Sequence, residues 1–304
     1  MAIKKKAVLT VDDYFEMFVA EQTAKGLSDK TIDTLRFAFT YFRRYSPVDK
    51  LEDISKQAIR TFVEQRIDKV AANTINTVIS HVRTFFYWLI EENIIEPFKI
   101  SLIKAQEPTI RVYTDEELGK LIQKPKKTAN YKEWRTWAII SFMLSTGARA
   151  ATVADIHYKD VDLANREVMY RHLKNKKVAV IPLSPAIVKA LGEYCRTWET
   201  ESEYLFCDYS GGKLTTSAIR QALIKYCAAR GVEYKGVHAL RHSFARNWIR
   251  NGGGAFELQR MLNHSDLATT RKYVELFSED LKNALDLHSP LDKLQSKKIT
   301  KIKK

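Results

Sequence analysis

The sequence predicts a mostly α-helical protein of two domains, with one small β-hairpin: a helical first domain and a larger mixed α/β second one. Three observations predict this. From Thr10 to about Glu92 the apolar residues recur at helical spacing, as in Ile32, Leu35, Phe39 and Phe42, and again in Ile75, Val78, Val82, Phe85 and Leu89. Pro97 and Pro108 bracket a stretch with no sustained period. Glu167 to His172 and Val178 to Ile181 are short runs rich in β-branched residues, separated by a polar turn.

Four helices are expected in the first domain, residues 1–97. Thr10 and Asp13 form a capping-box pair ahead of the first, and Ser28 precedes the second. Phe85 and Trp88 are assigned to the core, since the aromatic run Phe85 to Trp88 points to different sides of a helix; Tyr87 is left open between core and base stacking. Residues 98–110 read as an interdomain linker. Thr114 and Glu117 form a second capping box, so the larger domain, residues 111–290, begins there. An apolar helix runs from Trp134 to Thr146 and stops at Gly147, with Arg149 just beyond. The hairpin follows, Lys174 at its tip. Ser184 and Pro185 then start a helix as N-cap and first residue, and the pattern stays helical, with turns at Gly211-Gly212, Gly231 and Gly252 to Gly254. Residues 291–304 are a lysine-rich tail.

The 304 residues carry 50 Lys and Arg against 36 Asp and Glu, a net charge of +14, with no amphipathic anchor or lipidation motif beside it. Such a balance suits a polyanion, nucleic acid first, better than a membrane surface. The three cysteines form no C-x-x-C pair and have no ligand partners at zinc spacing, so reduced thiols and no metal are expected. The first lysines are followed by Asp12 and Asp13 before any signal-peptide apolar run can form, and no apolar stretch is long enough to span a bilayer; a cytoplasmic location is expected.

The chemistry-bearing residues are clustered. His238-Ala239-Leu240-Arg241-His242 is followed by Asn263-His264 and then by Tyr273, with Arg149 and Lys174 upstream. Two guanidiniums can hold the charge that develops on a phosphodiester under attack, and the planar fork of arginine fits phosphate oxygens two at a time. A phenol can form a covalent phosphoryl ester. For each residue a plainer reading stands beside this one: a solvated surface arginine, a core tyrosine, a turn lysine.

The order Arg149, Lys174, His238, Arg241, His264, Tyr273 resembles the tyrosine recombinase (phage integrase) family, from about residue 10 to about residue 290. The second domain matches motif by motif, the first in helix pattern and length. The resemblance implies a two-domain clamp on DNA, a helical core-binding domain and a catalytic domain. It implies site-specific recombination by strand cleavage and rejoining through a 3′-phosphotyrosyl intermediate, with no cofactor. Arg149 and Arg241 would hold the phosphate, Tyr273 would attack, Lys174 would protonate the leaving 5′ oxygen, His238 would accept the tyrosine proton and His264 would bond the phosphate. Lys176 or Lys177 could take the acid's place, and His242 is assigned a structural role. The implied partners are double-stranded DNA, three further copies in a synaptic tetramer, and an accessory or directionality protein. With no expected room for an extra arm-binding domain, the chain is similar to the compact Xer kind. Two rivals are a type IB topoisomerase and a catalytically silent DNA-binding regulator. The chain departs from the family pattern at Thr152, where an acidic residue is usual and Asp155 is the nearest substitute, and at Asn263, where glycine is common.

Overall fold

The computed structural model describes residues 9–106, 109–171, 178–197, 201–263, 267–277 and 291, and the chain divides into two compact units, residues 1–108 and 109–304. No helix among the described residues is long and apolar enough to cross a membrane.

The first unit holds four helices: α1 (Val11–Ala24), α2 (Asp29–Tyr45), α3 (Lys56–Arg66) and α4 (Ala72–Glu91). The starts are fixed locally. Thr10 and Asp13 close a reciprocal capping box at α1, and Ser28 and Ser55 accept backbone N–H bonds at the starts of α2 and α3. The apolar stripes meet in an aromatic core, where Phe15 stacks on Phe39 at 4.2 Å and meets Phe85 edge-on at 5.1 Å. Phe85 and Trp88 are both buried, as the pattern required. The Tyr87 hydroxyl accepts the Ile100 N–H, which settles that residue as a strut for the segment after α4.

That segment packs on the first unit. Ile100 is buried in the first unit's core, and the Asn76 side chain bonds both the N–H and the carbonyl of Ile103, at 3.0 and 2.9 Å. An amide side chain satisfying both backbone groups holds an extended chain as a strand partner would.

The second unit is built round α6 (Tyr131–Thr146), preceded by α5 (Asp115–Leu121), which opens with the Thr114–Glu117 capping box. α6 is apolar on nearly every side, and packs against α8 (Pro185–Cys195), α9 (Thr216–Ala229) and α10 (Val237–Arg250), as a helix without a polar face must. Between them lie α7 (Ala150–Ala154) and a three-stranded antiparallel sheet, β1 (Val161–Asp162), β2 (Glu167–Tyr170) and β3 (Ala179–Pro182), in the order β1-β2-β3. β2 and β3 form the expected hairpin, with Tyr170 opposite Ala179 and Glu167 opposite Pro182. β2 ends at Tyr170, one step before Arg171 turns to clasp the buried Asp160. α11 (Ala255–Leu262) and α12 (Leu267–Phe277) complete the unit, and α12 lies on α10 and α11. Cys207 and Cys227 are buried and Cys195 half-buried, all three as thiols.

Candidate active site

The site begins where α6 ends. Gly147 sits at φ +66°, the left-handed geometry that terminates a helix, and a Cβ there would come within 2.5 Å of Leu262 Cδ2 and 2.6 Å of Phe244 Cδ1. Both the turn and the close approach of α10 and α11 therefore need glycine. The Gly147→Ala variant is expected to lose about 2–5 kcal/mol of stability, the sum of a left-handed backbone and an overpacked contact. Denaturant melts of the two proteins check it. Two residues on, Arg149 takes an extended conformation as the N-cap of α7, half-buried.

The first turns of α10 carry the next three groups. His238, Arg241 and His242 fall at i, i+3 and i+4, so one helix face presents all of them. Side-chain bonds tie the middle of this helix to the segment that leads into α5: Ser243 Oγ accepts the Tyr113 N–H at 2.8 Å, and Arg246 reaches the Tyr113 carbonyl and Asp115. Arg241 is 4% exposed, and its guanidinium donates to the Gly147 carbonyl at 2.7 Å and the Leu262 carbonyl at 2.9 Å. It thus pins the end of α6 to the end of α11. Burial lowers its pKa to about 10, with help from the nearby charge of Arg149 and against the pull of Tyr273; at neutral pH it keeps its proton. Two guanidiniums close enough to repel each other, one desolvated, make a site that gains when an anion enters.

Tyr273 reaches this face from α12. The chain passes from α11 through Asn263 at φ 47°, ψ 53°. This explains the departure from glycine, because asparagine is the other residue that tolerates a left-handed helix end. Tyr273 packs with Phe244, Ala245, Leu258 and Leu262. Its hydroxyl lies 2.7 Å from His242 Nδ1 and also takes a hydrogen bond from Arg241. Burial raises its pKa, and the cations Arg241 and Arg149 only partly offset this. In a buried pocket desolvation outweighs them, so the resting hydroxyl keeps its proton.

The resemblance assigns the tyrosine proton to His238 and a structural role to His242. In the structure His242 Nδ1 and the Tyr273 hydroxyl share a hydrogen bond. His238 is exposed, and its ring lies 6.5 Å from that of His242. Its pKa is lowered, first by the water excluded from its inner edge and then by Arg241 and Arg149. A signal for His242 was present, since position i+4 from His238 shares its face. The carbonyl anchors at Gly147 and Leu262 had none, because backbone groups are the same in every residue.

Lys174 and His264 lie outside the described residues, as do Lys176 and Lys177. Asp155, the nearest acidic residue to Thr152, ends α7 and is ion-paired with Lys213. His81 bonds the carbonyl of its own helix at Thr77, and His157 packs on Tyr204. Among the described residues no group of three or more His, Cys, Asp or Glu could hold a metal ion.

A phenol held against an imidazole and two arginines can attack a phosphodiester, and comparisons with known proteins identify the setting. Residues 111–279 match the model of the phage integrase family, and residues 11–93 match that of the phage integrase N-terminal SAM-like domain. The tyrosine recombinase XerC of Bacillus subtilis (strain 168) is 28% identical over 298 residues, covering 92% of this chain and 97% of the relative. The tyrosine recombinase XerD of Staphylococcus haemolyticus (strain JCSC1435) is 28% identical over 304 residues, covering 92% and 98%. In solved structures, a lambda integrase (75–356) dimer bound to a COC′ core site shares the fold at TM-score 0.71 and 18% identity, covering 86% of this chain and 97% of that one. XerH bound to palindromic difH does so at TM-score 0.70 and 20% identity, covering 86% and 81%. With the catalytic match alone spanning more than half of its length, the chain belongs to the phage integrase family of tyrosine recombinases.

Proposed function

We propose that this protein recombines DNA at specific sites by cutting and rejoining strands, with Tyr273 as nucleophile. The observation that carries the reading is the convergence, within one chain, of the Tyr273 hydroxyl, the buried Arg241 and Arg149. The scissile phosphate enters between the two guanidiniums, which bind its non-bridging oxygens and stabilise the charge that grows there. Tyr273 Oη attacks phosphorus, the bond to the 5′ oxygen breaks, and the strand is held as a 3′-phosphotyrosyl ester. Lys174 supplies the proton for the leaving 5′ oxygen, and His264 bonds the phosphate. His238, at the exposed end of the α10 face, accepts the proton that Tyr273 gives up as it attacks. Because the ester conserves the energy of the broken bond, a 5′ hydroxyl from a second duplex reverses the reaction without ATP.

In this reading residues 1–97 are the core-binding domain, residues 98–110 connect it to the catalytic domain at residues 111–290, and residues 291–304 are a basic tail that adds phosphate contacts. The substrate is double-stranded DNA, the working assembly a homotetramer, with an accessory protein setting direction, and the place of work is the cytoplasm. A lambda integrase tetramer bound to a Holliday junction has the same fold, at TM-score 0.71 and 17% identity.

Product topology tests the function. Two labelled duplexes with the recognition site are expected to yield recombinant strands of exchanged length and a four-way intermediate. Relaxation of one supercoiled plasmid with no strand exchange would instead indicate a type IB topoisomerase. Sequence-specific binding with no strand break would indicate a silent regulator.

A further inference from the structure

Along α2, Phe37, Tyr41 and Tyr45 recur at four-residue intervals and so lie in one row on the helix. The Phe37 ring is stacked on that of Tyr41, 5.8 Å between centroids and 20° from parallel, and Tyr41 meets Tyr45 edge-on at 5.2 Å. The Arg66 guanidinium, from the end of α3, lies over both tyrosine rings, at 5.5 and 4.3 Å. Phe37 itself is 67% exposed, the most exposed large apolar side chain of the first unit among the described residues. The core does not use it: from α2 it takes Ile32, Leu35, Ala38, Phe39 and Phe42. We infer that Phe37 recognises a thymine of the target site, its ring lying against the C5-methyl group in the major groove, which deepens the DNA reading proposed above and rests on it.

The charges on α2 select the occupant of this face. A third of a turn away round the helix, Arg36 and Arg43 are neutralised by the carboxylates of Glu16, Asp12 and Asp49. Lys30 and Arg44 flank Phe37 two turns to either side, and neither they nor Arg66 has an ion pair among the described residues; Asp33 is the acid among them. A second copy of this face would bring like charges together, whereas a duplex brings phosphates to them. The ring has no polar atom, so on a duplex it gains only where it leaves water against an apolar group. In the major groove, which is wide enough to admit a helix, that group is the thymine methyl. Stacking on Tyr41, itself covered by Arg66, fixes the ring before contact, so little side-chain freedom is lost on binding.

Selection from a pool of randomised duplexes with the unaltered protein supplies the recognition site for the test. Each thymine of that site is then replaced by deoxyuridine, which removes the methyl group and keeps every hydrogen-bonding atom, and affinity is read by gel shift. The unaltered protein is expected to bind about four-fold more weakly when one particular thymine loses its methyl, the worth of one buried methyl-sized group. Phe37→Ala should bind the two duplexes alike and, given the same pool, should lose its preference at that position alone. The slope of log affinity against log salt should be unchanged in Phe37→Ala and should fall by about one in Arg44→Gln, since phosphate contacts set it. With the ring mostly outside the core, Phe37→Ala should melt with the unaltered protein, and the deoxyuridine scan alters no protein atom at all. A scan in which no thymine matters, or in which the same thymine matters equally to Phe37→Ala, would overturn the inference. So would self-association of the DNA-free protein that Phe37→Ala abolishes while its selected sequence stays the same, a result that would assign the face to a second copy. An unaltered protein that selects no sequence from the pool would instead remove the parent reading.

Discussion

Tyr273→Phe is expected to abolish covalent attachment to DNA while leaving affinity for the recognition site within about two-fold, since phosphate and groove contacts, not the nucleophile, supply binding. The effect is total because phenylalanine has no hydroxyl to form the phosphoryl ester. The ring itself remains, and with it the packing against Phe244, Leu258 and Leu262. The fold should lose only one hydrogen bond's net worth, about 1 kcal/mol. Denaturing gels score the adduct, gel shifts the affinity and thermal melts the stability; a variant that still forms adduct would transfer the role to another residue.

Removing Arg241 should have the next largest effect, because it performs two tasks with one side chain. As a charge donor to the phosphate, its loss is expected to cost about 2.7–4 kcal/mol of transition-state stabilisation, a drop of about 10²–10³ in the cleavage rate. As a tie between the carbonyls of Gly147 and Leu262, its loss leaves two inward-facing acceptors unpaired, at about 1–3 kcal/mol of folding stability each. Arg241→Ala is therefore expected to be both slow and less stable. Arg241→Lys keeps the charge but cannot span the two carbonyls as the guanidinium fork does, so it should stay impaired in both respects. Arg149→Ala separates the tasks: its side chain makes no capping bond, so the rate should fall with little change in melting. Equal melting of Arg241→Ala and the unaltered protein would show that the carbonyl tie contributes nothing to the fold.

These differences between residues mark how far the sequence could be read. Helix starts were legible because they are local: Thr10 with Asp13, Thr114 with Glu117, and Ser184 with Pro185 each cap within one turn, and each does so in the structure. The helix that ends at Gly147 was legible from its apolar run, although its true start at Tyr131 lies three residues earlier, behind the cap Asn130. β1 was not, since two residues, Val161 and Asp162, carry no period. The docking of the segment after α4 depends on Asn76, an exposed-looking amide whose partners stand 27 residues away. Within the site, residue types and order pointed to Arg149, Arg241 and Tyr273, but which histidine meets the phenol is decided by the packing of α12 on α10. That packing is a tertiary matter which a motif does not encode. Asn263 looked like a departure until its left-handed backbone gave the reason for it.

The central claim is that Tyr273 becomes joined to the 3′ phosphate of a cut strand. Its most direct test is to trap the adduct on a nicked recognition site, digest the protein and locate the nucleotide-bearing peptide by mass spectrometry. The expected result is a single modified peptide with the nucleotide on Tyr273. A nucleotide on any other residue, or strand cleavage with no protein attached, would contradict the account.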